Sequence, residues 1–439
     1  MEEWRIVVAR NPHWYDEFTA GPQAYGYGFH HSGPQVAEYF HVDEEIAPAP
    51  VFLPEERATE SVGTVGKLPV LGYAAGVRFE DDAAVARLGR LYRDDIIGVF
   101  ADPEIAVFPT DCSGASIGNW QDVNRLIDVP ALRAANLDGT GVFIAVVDGG
   151  IDGTALNAYG IALATLIDRA YTYPSGYAPG TAGPGHGTMV AFDALLAAPN
   201  ARLLDFAMFR GLGTHPTVPL RLHHALAAYG TLMIMMAQSR PPGALVVTNS
   251  WGIPDRSTDK PIGDPMNYCE NAEHPFNLQL RALIRVGVDV VFAAGNCGAE
   301  CPDPKCGAGD TGAGRSIHGA NALHDVVTVA GVTTRGDRVG YSSQGPGILD
   351  SEKPDVACYT QFDGSAWNGG PDVGTSAAAP IVAGVIAALR QGYPTVSPAL
   401  MKSTLRNTAS GAPVWNPDVG TGIIHAGRAL DALRRGAAS

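Results

Sequence analysis

Lysine is nearly missing from this chain: only five of its 30 basic residues are Lys, a skew that reads as coding bias and carries no chemistry. Charge of any kind is sparse, at 17% of 439 residues, against about 25% in a typical globular protein. What charge there is leans acidic, with 45 Asp and Glu and a formal net charge of −15. Such a chain lacks the broad basic face needed for general nucleic-acid binding or for docking on anionic membranes. Long apolar runs are missing too. The longest uncharged apolar stretches, Ala225–Ala237 and Gly374–Leu389, fall short of the ~18 residues that a membrane span needs. Six Cys in this length do not make a disulfide scaffold. No repeat or low-complexity tract is present. The start, Met1-Glu2-Glu3-Trp4-Arg5, shows no basic segment leading into an apolar one. A cytoplasmic location is therefore expected, with secretion by a non-standard route or from a mis-assigned start as the alternative.

What is present is core material and turns: 46% hydrophobic residues and 53 Gly, which excludes wholesale disorder. Length alone suggests about three domains at ~150 residues each. The pattern suggests two. In residues 1–110, Trp4–Val8 alternates like a strand and Ala47-Pro48-Ala49-Pro50 reads as a semi-rigid linker. Val70–Phe79 reads as a strand and Asp81–Leu91 as a helix with Ala84, Leu88 and Leu91 on one face. Ile96–Phe100 and Ile105–Phe108 read as further strands. Residues 111–119 are small and polar, as linkers tend to be. From 120 to 439, buried-type strands (Val142–Val147, Leu245–Thr248, Val288–Ala293, Val326–Val329) alternate with helical patterns at 187–197, 219–237, 275–285 and 377–390. That alternation predicts a doubly wound α/β domain with a parallel central sheet, preceded by a small α+β domain.

Four short motifs fall at strand ends or helix starts. Asp148 closes the strand Val146-Val147, where open α/β sheets place functional groups, although an Asp there also serves as a cap or turn residue. His186, between Gly185 and Gly187, opens an apolar helix and reads equally as a cap or a buried, satisfied group. Ser376, in Gly374-Thr375-Ser376-Ala377, starts a helix of small residues. It reads as an N-cap, or as a nucleophile that a carbonyl can reach unobstructed; Pro380 is assigned to the first turn, where proline is tolerated. Asn296 follows Ala293-Ala294-Gly295 after another buried strand, as a turn residue or as an amide donor for a developing oxyanion.

The order Asp148…His186…Asn296…Ser376, with its flanking residues, resembles the subtilisin-like serine peptidases from about Trp120 to Leu433. Asn249-Ser250-Trp251-Gly252 resembles the segment that pairs with substrate backbone. Tyr341-Ser342-Ser343-Gln344-Gly345-Pro346, Lys353-Pro354-Asp355 and Gly420-Thr421-Gly422 are further landmarks. The resemblance implies a subtilisin-like fold and hydrolysis of peptide bonds in peptide or protein substrates, with no cofactor required for catalysis. It assigns Ser376 as nucleophile, His186 as base, Asp148 as its partner and Asn296 as oxyanion donor. It places substrate along Ser250, Trp251, Gly252, Ala293, Ala294 and Gly295. An alternative is a dedicated peptide-maturing protease or transpeptidase.

Three departures stand out. Phe192–Ala198 runs almost directly into Pro199-Asn200-Ala201, which leaves little room for the family's calcium loop. Trp251 replaces a commoner Leu, either to reshape a subsite or as a core aromatic. Cys297, Cys301 and Cys306 form an insertion that, with Cys269 upstream, is open to three readings: reduced thiols, disulfides or a structural zinc site. The segment from Gly72 to Asp102 resembles the second half of the family's inhibitory propeptide. Residues 1–110 are thus expected to act as intramolecular inhibitor and chaperone, with a cleavage site within 109–122, or to remain as a permanent accessory domain.

Overall fold

The computed structural model describes residues 3–11, 14, 40–43, 45–107, 114–158, 167–168, 171–183, 185–209, 220–238, 243–367 and 369–437. Its strands are β1 (Glu3–Ala9), β2 (Phe40–Val42), β3 (Ala49–Phe52), β4 (Gly63–Val65), β5 (Leu68–Phe79), β6 (Ile96–Ala101), β7 (Ala106–Val107), β8 (Phe143–Val147), β9 (Arg202–Phe206), β10 (Leu245–Asn249), β11 (Trp251–Gly252), β12 (Asp289–Ala293), β13 (Val327–Val332) and β14 (Val356–Tyr359). Its helices are α1 (Asp82–Leu91), α2 (Trp120–Leu126), α3 (Val129–Ala134), α4 (Gly153–Ala158), α5 (His186–Ala197), α6 (Leu222–Ala237), α7 (Pro275–Arg285), α8 (Thr375–Gly392), α9 (Pro398–Thr408) and α10 (Ala426–Ala437). No helix among the described residues is long and apolar enough to cross a membrane.

Two compact units emerge. The first gathers Met1–Glu104 with Leu212–Gln238 and Ser257–Leu283. Its sheet is built on β5, which pairs antiparallel with β1, β2, β3 and β4, while β1 also pairs antiparallel with β6. Helix α1 starts where Asp81 accepts a hydrogen bond from the Ala84 N–H at 2.8 Å, an N-cap in the usual sense. Ala84 and Leu88 join Val7, Phe40, Val77 and Phe79 in a small core. Leu91 does not join them: it ends the helix and stands 56% exposed. The expected linker around Pro50 is also corrected, because Ala49–Phe52 is strand β3. Among the described residues it pairs with β5 alone, and an edge strand tolerates the lack of an N–H at Pro50.

The second unit comprises Ile105–Gly211, Ser239–Arg256 and Ile284–Ser439. Its six-stranded sheet runs β14-β13-β12-β10-β8-β9 and every neighbouring pair is parallel. The near-continuous apolar runs follow from burial on both faces: β8, β10, β12, β13 and β14 are buried throughout. One charge inside this sheet, Asp289 on β12, is matched by the buried Arg390 of α8, with Nη2 to Oδ1 at 2.9 Å. From β8 the chain moves to β9 on one side and then returns to β10 on the other. This reversal is a topological switch point, and the crevice at such a point is where open α/β sheets place their chemistry. Asp148 is the first residue beyond β8, and Ser250 lies between β10 and β11.

Candidate active site

At the carboxyl end of β8, Asp148 is fully buried and faces His186, the first residue of α5. The His186 Nδ1–H lies 3.0 and 2.9 Å from the two Asp148 oxygens, and the Gly149 N–H also donates to Oδ1 at 2.7 Å. This contact fixes both ring orientation and tautomer, leaving Nε2 without its proton in the neutral ring. Nε2 itself has no hydrogen-bond partner among the described residues. The approach of α5 to β8 depends on Gly187: a Cβ there would lie 2.5 Å from the Gly150 carbonyl oxygen and 3.2 Å from Asp148 Oδ1. The Trp367 ring stands edge-on to the imidazole, with centroids 6.5 Å apart.

Ser376 is the second residue of α8, in a first turn where the Thr375 N–H goes to Asn296 Oδ1 and the Ala377 N–H to the Gly374 carbonyl. Pro380 lies in the second turn, not the first as expected, so proline here removes an interior helix bond. The carbonyl so deprived is that of Ser376, four residues back, and the Ser250 hydroxyl donates to it at 3.1 Å. Ser250, expected along the substrate strand, therefore uses its side chain to brace the helix that carries Ser376.

Asn296 follows β12 and Gly295. Its Oδ1 accepts from the Thr375 N–H at 2.9 Å and from Thr375 Oγ1 at 3.0 Å, while Oγ1 in turn accepts from the Gly295 N–H at 3.0 Å. With two donors on Oδ1, the amide orientation is set and Nδ2 is the group turned away from Thr375. The backbone is pinned as well: the Asp303 N–H reaches the Asn296 carbonyl at 2.8 Å, the Ser343 N–H reaches Gly295 O at 2.9 Å, and the Cys297 N–H reaches Ser343 Oγ at 3.1 Å. Thr375 stands beside Ser376 in the sequence motif, yet nothing local reveals that it orients an amide 79 positions away.

The insertion after Asn296 closes on itself. Cys297 and Cys306 form a disulfide, and Cys301 is also disulfide-bonded. The zinc and reduced-thiol readings are overturned for Cys297, Cys301 and Cys306, since sulfurs joined in disulfides have no thiolate to offer a metal. Cys269, the fourth expected member, is buried and stands outside these disulfides. The calcium loop does not fit either. Helix α5 runs to Ala197 and β9 begins at Arg202. Between them lie Ala198, Pro199, Asn200 and Ala201, which offer one side-chain oxygen where calcium takes about six to eight oxygen ligands.

Along the expected substrate strand, Trp251 is fully buried. Its Nε1–H donates to Asn249 Oδ1 at 3.1 Å, and its ring meets Phe292 edge-on at 5.5 Å. The side chain is thus packed as a core aromatic. The backbone of Trp251–Gly252 pairs antiparallel with β7, Trp251 opposite Val107 and Gly252 opposite Ala106. Asn321, which sequence reading passed over, ties this strand to the next, donating to the carbonyls of Trp251 (3.1 Å) and Ala293 (2.9 Å). Ala294 is buried, its N–H bonded to Val329 O at 2.9 Å.

Behind these residues lies a pair of buried acids. Asp193 sits two turns beyond His186 on α5, and Asp372 precedes Ser376 by four positions. Neither Asp193 oxygen meets a hydrogen-bond donor among the described residues. Burial, then the neighbouring Asp372 charge, hold the Asp193 carboxyl well above the usual range. Burial also pushes Asp372 up to about 6, against the hydrogen bonds it accepts from Ser365.

A model of the subtilase family matches residues 139–422. Among characterised relatives, M-protease of Shouchella clausii is 27% identical over 341 residues, 76% of each chain. Mycosin-4 of Mycobacterium tuberculosis is 30% identical over 171 residues, 35% of this chain and 38% of that relative. This chain thus spans well under half of mycosin-4. Among solved structures, fervidolysin of Fervidobacterium pennivorans superposes with a TM-score of 0.55 at 18% identity, covering 98% of this chain and 61% of that one; the likeness is one of fold. The family match spans well over half the chain and includes Asp148, His186, Asn296 and Ser376: the chain belongs to the subtilase family of serine peptidases.

Proposed function

We propose that this protein is a serine endopeptidase, made as a precursor that processes itself. Ser376 attacks the scissile carbonyl while His186 Nε2 takes its proton and later delivers it to the leaving amine. Asp148 holds the ring and stabilises its charged form. Asn296 Nδ2 and the Ser376 N–H supply the donors for the tetrahedral oxyanion. The observation that carries the reading is the paired orientation: Asp148 fixes His186 from behind, and Thr375 fixes Asn296 Oδ1 so that Nδ2 is turned outward. Subtilases need no cofactor for this chemistry.

The precursor reading rests on β7. The segment Ala106–Val107 lies antiparallel on Trp251–Gly252, the strand assigned to substrate backbone, in the manner of a peptide bound by strand addition. This pairing supports reading the chain's own residues as standing where a substrate would lie. Part of the expected cleavage stretch, 109–122, lies outside the described residues. The disulfide between Cys297 and Cys306 supports maturation in an oxidising compartment, in favour of export over a cytoplasmic location.

Intact-mass analysis of the wild type beside Ser376→Ala tests the proposal. Cleavage within 109–122 in the wild type alone, with covalent labelling by a fluorophosphonate probe, is the expected result. A wild type that stays whole and unlabelled refutes the peptidase reading. One that labels but stays whole refutes self-processing.

A further inference from the structure

The first unit holds a cluster of ligating side chains that the peptidase chemistry does not use. His223 and His224 open α6, and both rings are buried, 3% and 9% exposed. The His223 ring occupies a hollow made for it. On β5, Gly76 leaves the space, since a Cβ there would lie 2.6 Å from the ring. On β1, the Trp4 ring stacks on it at 5.7 Å with planes 20° apart. The fully buried Asp102, just after β6, accepts the His223 backbone N–H at 2.9 Å and holds Nδ1 at 2.6 Å. That leaves Nε2, which faces Asp43 Oδ2 at 2.9 Å just beyond β2. The His224 ring lies beside it, with centroids 4.1 Å apart. One ligand atom from each of Asp43, His223 and His224 lies within 4.8 Å of the others.

We propose that Asp43, His223 and His224 bind a divalent transition-metal ion of the zinc class, with Asp102 as the carboxylate that orients His223. Two imidazoles and one carboxylate are a zinc-type donor set, with the fourth position left to water. A tetrahedral ion with bonds of about 2.0–2.2 Å holds its ligands about 3.3 Å apart. The His223–Asp43 pair need open only slightly, and the third ligand moves inward. The Nδ1-to-carboxylate contact is the outer-sphere partner that metal-bound histidines keep, and here it aims Nε2 at the site. Charge balances as well. The ion takes the place of the proton that the Nε2-to-Asp43 hydrogen bond requires, and that proton is released to solvent. Two carboxylates then neutralise one dication in a buried setting. The ion would join the segment after β2 to α6, making the cohesion of this unit depend on metal supply. The proposal stands apart from the peptidase reading.

The test uses the full-length Ser376→Ala protein, free of tags and stripped by chelator, with Co²⁺ as the spectroscopic probe. The expected result is uptake of one Co²⁺ with the strong visible bands of a four-coordinate ion, displaced by Zn²⁺, and a metal-dependent rise in melting temperature. Asp43→Asn preserves shape and hydrogen bonding and should weaken Co²⁺ binding at least about 100-fold. His224→Gln serves as the second variant, and both are checked for a wild-type melt without metal. Equal binding by wild type and variants, the faint spectrum of a six-coordinate ion, or no stoichiometric uptake each overturns the site.

Discussion

Replacing Asp372 with Asn should stabilise the protein, and only above a defined pH. Asp372 is buried and accepts the Ser365 N–H at 2.6 Å and the Ser365 hydroxyl at 2.5 Å. Burial pushes it from 3.8 to about 6. Between those values the folded protein holds a proton that the unfolded chain has released. Stability therefore falls as pH rises across this window and stays lowered above it. At 1.36 kcal/mol per pH unit, the rise amounts to about 3 kcal/mol. Asn keeps both contacts, its oxygen accepting from the Ser365 N–H and its amide donating to the Ser365 hydroxyl, and it has no charge to bury. In a Ser376→Ala background, which prevents self-digestion, Asp372→Asn should match the parent near pH 4 and exceed it by up to about 3 kcal/mol above pH 7. At about 2–4 °C per kcal/mol for a domain of 150–250 residues, that is roughly 6 °C or more in melting temperature. Urea and thermal denaturation from pH 4 to 9 would measure it. An offset that does not change with pH, or a variant less stable at pH 8, refutes the reasoning.

Thr375→Val removes the hydroxyl that donates to Asn296 Oδ1 and accepts from Gly295. Loss of a whole oxyanion donor costs about 10²–10³ in turnover, a range measured in this same family, so a loosened amide should cost roughly tenfold in kcat with KM little changed. Thr375→Ser should restore the rate, and an unaltered kcat in the Val variant would show that the hydroxyl does not position Asn296. Ser250→Ala removes the hydroxyl that donates to the Ser376 carbonyl and should cost about 1–3 kcal/mol in denaturation. That penalty should shrink when Pro380→Ala supplies the missing helix N–H. A double-mutant cycle with no coupling between the two sites would refute the link.

The parallel sheet could be read from the chain because strands buried on both faces must be apolar nearly throughout, and β8, β10 and β13 carry that signature. The placement of Asp148 after a strand and of His186 and Ser376 at helix starts followed from the same local patterning, aided by their glycines. Pattern misled where a residue type has two uses. Pro50 reads as a linker but lies on β3, which among the described residues pairs with β5 alone. Pro380 reads as a first-turn residue but lies one turn in, at the expense of a helix bond that Ser250 restores. Leu91 fits the apolar face of α1 by spacing, yet the helix ends there and leaves it in solvent.

The sequence by itself determined the layered α/β architecture, the family, and the order of the residues proposed for catalysis, because periodicity and motif spacing are properties of neighbouring residues. Only the tertiary structure decided which side chains meet. It joined Cys297 to Cys306 where spacing allowed thiols, disulfides or zinc, and it buried Trp251 in the core. It set Thr375 on Asn296 and Ser250 on the Ser376 carbonyl, across 79 and 126 positions. It also paired two acids, Asp193 and Asp372, that no local rule would bring together. Such contacts depend on how helices and strands distant in sequence are packed, and a buried polar atom takes whatever partner that packing brings within about 3 Å.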